Sequence, residues 1–179
     1  MHSLHLRGKF AAEHWYRGKL IGLYPCNNDT TNEGKNRFLS VGFHGYPPIT
    51  TWWLGLIDYV GYTALAATDI YRNINLTNGW SEYTTYTDTN NGNDATTRPL
   101  WTPDAAVGQS IANTTQSLFT ITTLNTVKGL FVVGGDTNAQ TKGDNASNSN
   151  SILWATALFG SDCPVFVGSV LRIIYTVNA

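Results

Sequence analysis

The run TTWWLGLID at residues 50–58 constrains the fold of this chain more than any other segment. It is an aromatic and aliphatic stretch with turn-forming residues on either side, which is typical of a buried β-strand. The polar segments around it consist of Thr, Asn, Gly and Ser rather than of charged residues. The run therefore predicts a packed β core, in a chain that contacts partners rather than transforms a soluble substrate.

The charge content narrows the classes of partner. Only 13% of the 179 residues are charged and the net charge is −1, whereas soluble domains carry roughly 25% charged residues. No basic patch is visible, so nucleic acid and membrane are disfavoured as partners. The amino terminus lacks the apolar core of a secretory signal and no later stretch reaches membrane-spanning length. We expect synthesis in a bacterial cytoplasm.

Local patterns predict the elements of the fold. Two β-prone runs, at residues 10–16 and 19–25, flank Arg17 and Gly18 and predict a hairpin. Residues 31–42 begin with capping residues and end at a glycine, which predicts one short helix. Further strands are predicted at residues 80–87, 97–101, 109–112, 116–122, 126–133, 152–158, 165–167 and 169–177.

These elements predict an all-β fold, a β-sandwich with an N-terminal arm and hairpin and one short helix. We place the arm and hairpin at residues 1–30 and the sandwich domain at 31–179. Residues 134–151 are rich in Asn, Ser, Thr and Gly. We expect an exposed, mobile loop there unless a partner orders it.

Residue types with catalytic or metal-binding chemistry are dispersed. The four histidines lack zinc-type spacing, and the acidic residues occur singly, so no carboxylate pair is readable. The loop at residues 88–94 resembles a calcium loop but lacks its distal glutamate. Cys26 and Cys163 predict two independent, partly buried thiols, with a disulfide as the minor alternative. We predict no catalytic residue, no metal and no cofactor.

The tryptophans predict core packing first and recognition second. Trp52 and Trp53 are adjacent, so in a regular strand they point to opposite faces. One of them is then either a residue of a second core layer or an interface anchor, a role in which tryptophan is enriched. We favour the interface.

Five segments carry a resemblance to a known class of protein. They are RGKL at 17–20, NEGKN at 32–36, TWWLGLID at 51–58, TRPLWT at 97–102 and YTV at 175–177. In this order they resemble small virion proteins of tailed bacteriophages, over most of the chain, and among these the capsid decoration or cement proteins. The motifs are recurring sequence patterns rather than catalytic signatures.

The resemblance implies a β-sandwich, often of jelly-roll type, on the outside of the virion. Its partners would be the major capsid protein and further copies of itself, as a dimer or trimer that stabilises the head. The interface is expected at the arm, at the first hairpin and at two tryptophans, namely Leu4, Leu6, Arg7, Trp15, Tyr16, Arg17, Trp53 and Trp80.

Two other classes of function remain open. A tail or fibre component that binds host-surface glycans would use the same sandwich, with aromatic residues lining a groove at its loop end. A hydrolase would need a histidine or carboxylate constellation that only folding could create.

Overall fold

The computed structural model describes residues 6–146 and 150–179 and confirms the predicted all-β fold with one short helix. Leu4 lies outside the described residues. The helices are α1 (Asn32–Phe43) and the single turn α2 (Thr137–Gln140), with 3₁₀ turns at Tyr71–Asn73 and Thr89–Asn91. The strands of the described chain are β1 (Arg7–Tyr16), β2 (Lys19–Thr30), β3 (Trp52–Asp58), β4 (Glu82–Tyr83), β5 (Tyr86–Asp88), β6 (Leu100–Trp101), β7 (Ser110–Ala112), β8 (Ser117–Ile121), β9 (Asn125–Gly134), β10 (Ile152–Val165) and β11 (Val170–Asn178).

The strands form an antiparallel sandwich that is nearly closed on itself. The order is β4-β3-β9-β10-β2-β1-β11-β8-β5, with β6 beside β3 and β7 beside β11. Strand β2 joins the two sheets, because its first part pairs with β1 and its end, Asp29 and Thr30, pairs with β10. The outermost strands, β4 and β5, are separated in sequence by Thr84 and Thr85 alone, so the two ends of the order meet.

The predicted first hairpin is present. Arg17 and Gly18 connect β1 to β2 with φ of 50° and 74°, the left-handed backbone that two-residue hairpin turns of type I′ require. In the sheet, β1 also pairs with β11 along nine residues. The hairpin therefore lies in the middle of the sandwich, continuous with residues 31–179, rather than beside it as an arm.

Two hydrophobic clusters hold the sandwich together. The larger lies between the sheets and includes Phe10, Leu54, Phe119 and Tyr175. The smaller lies on the other face of β3, β9 and β10, where Trp53, Phe131 and Trp80 pack together with residues of the 3₁₀ turn. The segment 59–81 covers this outer face, which explains why both faces of β3 are apolar in the sequence.

The predicted strand at residues 80–87 is wrong in its continuity. It breaks at Thr84 and Thr85, so that β4 joins the sheet of β3 and β5 joins the sheet of β8. As a result Tyr83 and Tyr86 both point into the core, rather than to opposite faces of one half-exposed strand. Two strands were predicted at residues 152–158 and 165–167. Residues 152–158 and Val165 belong to the single bulged strand β10, and residues 166–167 follow it.

The expectation of an exposed, mobile loop at residues 134–151 needs a similar correction in its described part, since residues 147–149 lie outside the described residues. Gly134 ends β9, and α2 follows with its Asp136 side chain capping the Asn138 N–H at 3.0 Å. Ala139 is fully buried. The described part of the segment therefore packs on the sandwich through its own residues.

Candidate functional site

Helix α1 forms where the sequence predicted it. The Thr31 side chain accepts a hydrogen bond from the Gly34 N–H at 3.0 Å, which caps the first turn. Glu33 accepts N–H bonds from Tyr71 at 2.9 Å and from Leu153 at 2.7 Å. Burial raises the pKa of Glu33, and the two backbone donors act against that rise. The first turn of α1 is thus tied to β10 and to the 3₁₀ turn.

Beyond this first turn the helix has no buried residue. Gly34 is its single buried residue, and the carbonyl oxygen of Trp154 lies so close that a Cβ at Gly34 would come within 2.6 Å of it. The helix therefore rests on β10 at its first turn, and its later turns leave a cavity of about 160 Å³ between Phe38 and Val41 on one side and Trp52 and Trp154 on the other.

The apolar side chains of these later turns face outward. Phe43 is 85% exposed and Leu39 is 53% exposed, and Phe38 and Tyr46 are also exposed. We call Phe38, Leu39, Phe43 and Tyr46 the helix surface. Single exposed apolar residues are ordinary, whereas four large ones within residues 38–46 indicate a site of interaction.

Basic residues border the helix surface. A depression of about 460 Å³ is lined by Leu6, Arg7, Lys35, Phe38 and Leu39, together with Asp29 and Thr30. On the other side the Arg37 guanidinium lies over the Tyr46 ring at 4.6 Å. Arg7, Lys35 and Asp29 thus lie beside Phe38 and Leu39, and Arg37 lies beside Tyr46, although the whole chain is close to neutral.

The structure separates the predicted interface residues into three groups. Leu6 and Arg7 line one depression with Phe38 and Leu39 of the helix surface. Trp15, Tyr16 and Arg17 lie at the end of the first hairpin. There Arg172 stacks over the Trp15 ring at 4.4 Å and Arg17 over the Tyr16 ring at 5.1 Å.

The prediction that Trp53 and Trp80 are interface anchors is wrong. They are 6% and 2% exposed, and both belong to the outer hydrophobic cluster. Trp80 donates its indole N–H to Asp69 at 2.9 Å. Trp53 is therefore the second-layer core residue that the adjacent tryptophans also allowed, because the segment 59–81 folds over the outer face of β3.

The residues of the helix surface were missed as a site. The sequence did place Phe38 and Leu39 on one side of a short helix, which is the usual pattern of a helix that buries that side. Two features of the sequence could have indicated the site: the helix is short, and the residues at 46–48 break the chain. No second helix follows this break on which Phe43 and Tyr46 could pack.

One group of catalytic residue types is brought together by folding, and it is buried. His14 Nε2 lies 2.8 Å from Ser169 Oγ, and its Nδ1 lies 3.9 Å from Cys163 Sγ. Ser169 and Cys163 are fully buried. Burial raises the pKa of Cys163 to about 12, and that of Cys26 also to about 12. These thiols stay protonated, unlike the thiolate of a nucleophile, and they are separate free cysteines, as predicted.

The loop that resembles a calcium loop uses its carboxylates internally. Asp88 Oδ1 accepts the Asn90 N–H at 3.1 Å, and Asp94 Oδ1 accepts the Thr96 N–H at 2.6 Å. Within the described ranges no three His, Cys, Asp or Glu side chains are grouped to hold a metal ion.

Comparison with protein-family models, with curated proteins and with solved structures finds no match to this chain. Residues 6–146 and 150–179 contain no helix with the length and apolar character needed to cross a membrane. The geometry defines an all-β sandwich with one helix that packs on it mainly through the first turn. This helix exposes apolar side chains next to basic residues.

Proposed function

We propose that this chain is a decoration (cement) protein of a tailed-bacteriophage capsid, which binds the outside of the major capsid protein shell and stabilises the head. The observation that carries the proposal is the helix surface, because it leaves Leu39 and Phe43 in water in the isolated chain. The sequence resemblance to virion proteins supplies the identity of the partner.

The physical gain from covering the helix surface is considerable. Full burial of one large apolar side chain stabilises by roughly 1.5–3 kcal/mol. A shell offers the same site many times, so the binding free energy of each copy adds to the stability of the assembled particle. A protein that binds the assembled shell and not its separate subunits shifts the equilibrium toward assembly.

The basic border indicates the chemistry of the matching surface. Arg7, Lys35 and Arg37 would be paired best by an apolar recess with acidic residues around it. The charges would set the orientation and the association rate, whereas the apolar side chains would supply most of the affinity.

A second exposed apolar group supports contacts between copies. Leu20, Ile21 and Leu23 of β2 are exposed near the end of the first hairpin, and Val167 in the turn before β11 is exposed too. We propose this hairpin end, with Trp15, Tyr16 and Arg17, as the contact within a dimer or trimer.

A reconstruction of the intact virion tests the proposed function. We expect copies on the outside of the head at local symmetry axes, with α1 against the shell. Copies confined to the tail tip, or purified particles that lack the protein by mass spectrometry, would overturn the assignment.

A further inference from the structure

One end of the sandwich carries a cleft that the proposed shell attachment does not use. Its volume is about 420 Å³, within the range of roughly 300–1,000 Å³ found for small-molecule sites. The loops before β3 and β8 and after β5 and β6 form its walls, with the end of α2. Six of its ten lining residues have uncharged polar side chains, namely Thr51, Asn90, Asn91, Thr102, Thr115 and Gln140.

Several of these side chains have hydrogen-bonding capacity to spare. Within the described residues, no hydrogen bond engages the side chains of Thr51, Thr102, Thr115 or Gln140. The backbone carbonyl groups of Thr51, Thr115 and Gln140 do accept hydrogen bonds. The neighbouring Asn90 is fixed in place. Its amide donates to the Gln116 carbonyl at 3.1 Å and accepts from the Leu118 N–H at 3.0 Å.

The two ionisable residues of the lining are buried and both hydrogen-bond to other groups of the protein. Arg98 is paired with Glu82, and both side chains are fully buried. Asp88 is buried and its carboxylate accepts the Asn90 N–H. Neither residue offers an exposed charge, and the buried Asp88 carboxylate disfavours phosphates and carboxylates as ligands.

Two of the ten lining residues are apolar, and the carbon atoms of the polar side chains add further apolar surface. Leu100 is 45% exposed, and Trp53 contributes only the narrow strip of its indole that remains accessible. Peptide-binding grooves use pockets for alternate side chains, and one leucine with a strip of indole provides none. A ligand dense in hydroxyl groups with one apolar face fits this lining better.

We propose that this cleft binds a neutral saccharide. The hydroxyls and the Gln140 amide would hydrogen-bond the sugar hydroxyls, and Leu100 would contact the apolar face of the ring. The site shares no residue with the helix surface, so sugar binding and shell attachment are separable properties of the molecule.

Titration of the ¹³C,¹⁵N-labelled chain with glucose, galactose, N-acetylglucosamine, lactose and maltose tests the proposal by NMR. Probe concentrations up to about 50 mM cover millimolar dissociation constants. We expect saturable shifts of the Leu100 methyls and of the Asn90, Asn91 and Gln140 side-chain amides with at least one probe. The Thr102→Ala/Gln140→Ala variant should weaken this binding at least about tenfold.

Thr122→Ala is the matched control, because Thr122 is exposed outside the cleft and its side chain makes no hydrogen bond in the described structure. It should bind as the unchanged chain does, with all three proteins giving the dispersed spectrum of a folded sandwich. Absence of saturable shifts with every probe, or equal binding by the Thr102→Ala/Gln140→Ala variant, would overturn the proposal. Either result would leave shell attachment by the helix surface untouched.

Discussion

Arg98 and Glu82 form a two-pronged ion pair beneath the outer face of the sandwich. Nε and Nη2 of Arg98 donate to the two Glu82 carboxylate oxygens at 2.8 and 2.7 Å, and neither side chain is exposed. Arg98 Nη1 also donates to the Ala139 carbonyl, and Glu82 accepts the Gly143 N–H, both at 2.7 Å. The pair thereby fastens the segment after β9 to the sandwich.

Removal of one partner of this pair should destabilise the fold strongly. Arg98→Met leaves the Glu82 carboxylate buried without its cation, and such changes cost about 3–5 kcal/mol. Urea unfolding followed by tryptophan fluorescence measures the loss. The double variant Arg98→Met/Glu82→Leu should recover part of it, because no uncompensated charge remains. A loss below about 1 kcal/mol in the single variant would show that the pair is not structural.

The same ion pair shows why the sequence predicted some elements and not others. The β1–β2 hairpin was predictable because Arg17 and Gly18 specify their own turn locally. The order of residues 134–146 was not, because it depends on Arg98 and Glu82, which are distant in sequence from that segment. Trp53 and Trp80 were misassigned for a related reason, since only the folded chain reveals which loop covers them.

Two glycines of α1 should respond to alanine with opposite signs. Alanine favours a helix over glycine by about 1 kcal/mol. At Gly42 no atom lies within 4 Å of a new Cβ, so Gly42→Ala should raise the free energy of unfolding. At Gly34 the Cβ would meet the Trp154 backbone oxygen at 2.6 Å. Gly34→Ala should therefore destabilise by about 1–3 kcal/mol.

Urea unfolding of the two variants decides this prediction, with Gly42→Ala as the matched control. Equal stabilisation by both substitutions would mean that α1 does not rest on β10 through Gly34. The distinction matters for function, because this contact holds the first turn of the helix and so orients the helix surface.

His14 should make the fold less stable as the pH falls. Burial lowers the pKa of His14 below its usual 6.5. The unfolded chain therefore takes up a proton near pH 6.5 that the folded chain takes up only at lower pH, so the stabilisation is complete above about pH 6.5 and is lost below it. The raised carboxyl pKa values of Glu33 and Asp88 act in the opposite direction, and a His14→Gln variant, which keeps both carboxyl groups, separates the histidine from them.

Urea midpoints measured between about pH 7 and pH 5.5 isolate the histidine. The unchanged chain should lose stability across this window, and His14→Gln, which keeps a hydrogen-bonding group beside Ser169, should lose less. Parallel pH profiles for the two proteins would assign the dependence to other groups.

The two cysteines should be unreactive until the protein unfolds. Both are buried, and burial raises the pKa of each thiol to about 12. A thiol-specific chromogenic reagent at about pH 8 should modify neither in the native chain and both in denaturant. Fast modification of either thiol in the native chain would contradict the buried environment.

The candidate site was less predictable than the fold. The sequence located α1 to within one residue, because its Thr31 cap is a local signal, although the helix continues past Gly42 to Phe43. Whether Phe38 and Leu39 face the core or water depends on where the helix docks, and that is set by Gly34 and Trp154, residues 120 positions apart. A pattern of apolar residues on a helix identifies a face that needs covering, not the molecule that covers it.

The central claim is that the helix surface binds the assembled shell. Its most direct test is the binding of purified variants to phage shells from which the protein has been removed. Leu39→Ser/Phe43→Ser should fold normally, because both side chains are exposed, yet lose at least about tenfold in affinity.

Val107→Ser/Leu124→Ser is the matched control, since these residues are 79% and 67% exposed and lie outside the helix surface. The control should saturate the shells as the unchanged chain does, whereas Leu39→Ser/Phe43→Ser should fail to do so. Equal occupancy by the two variants would contradict the central claim.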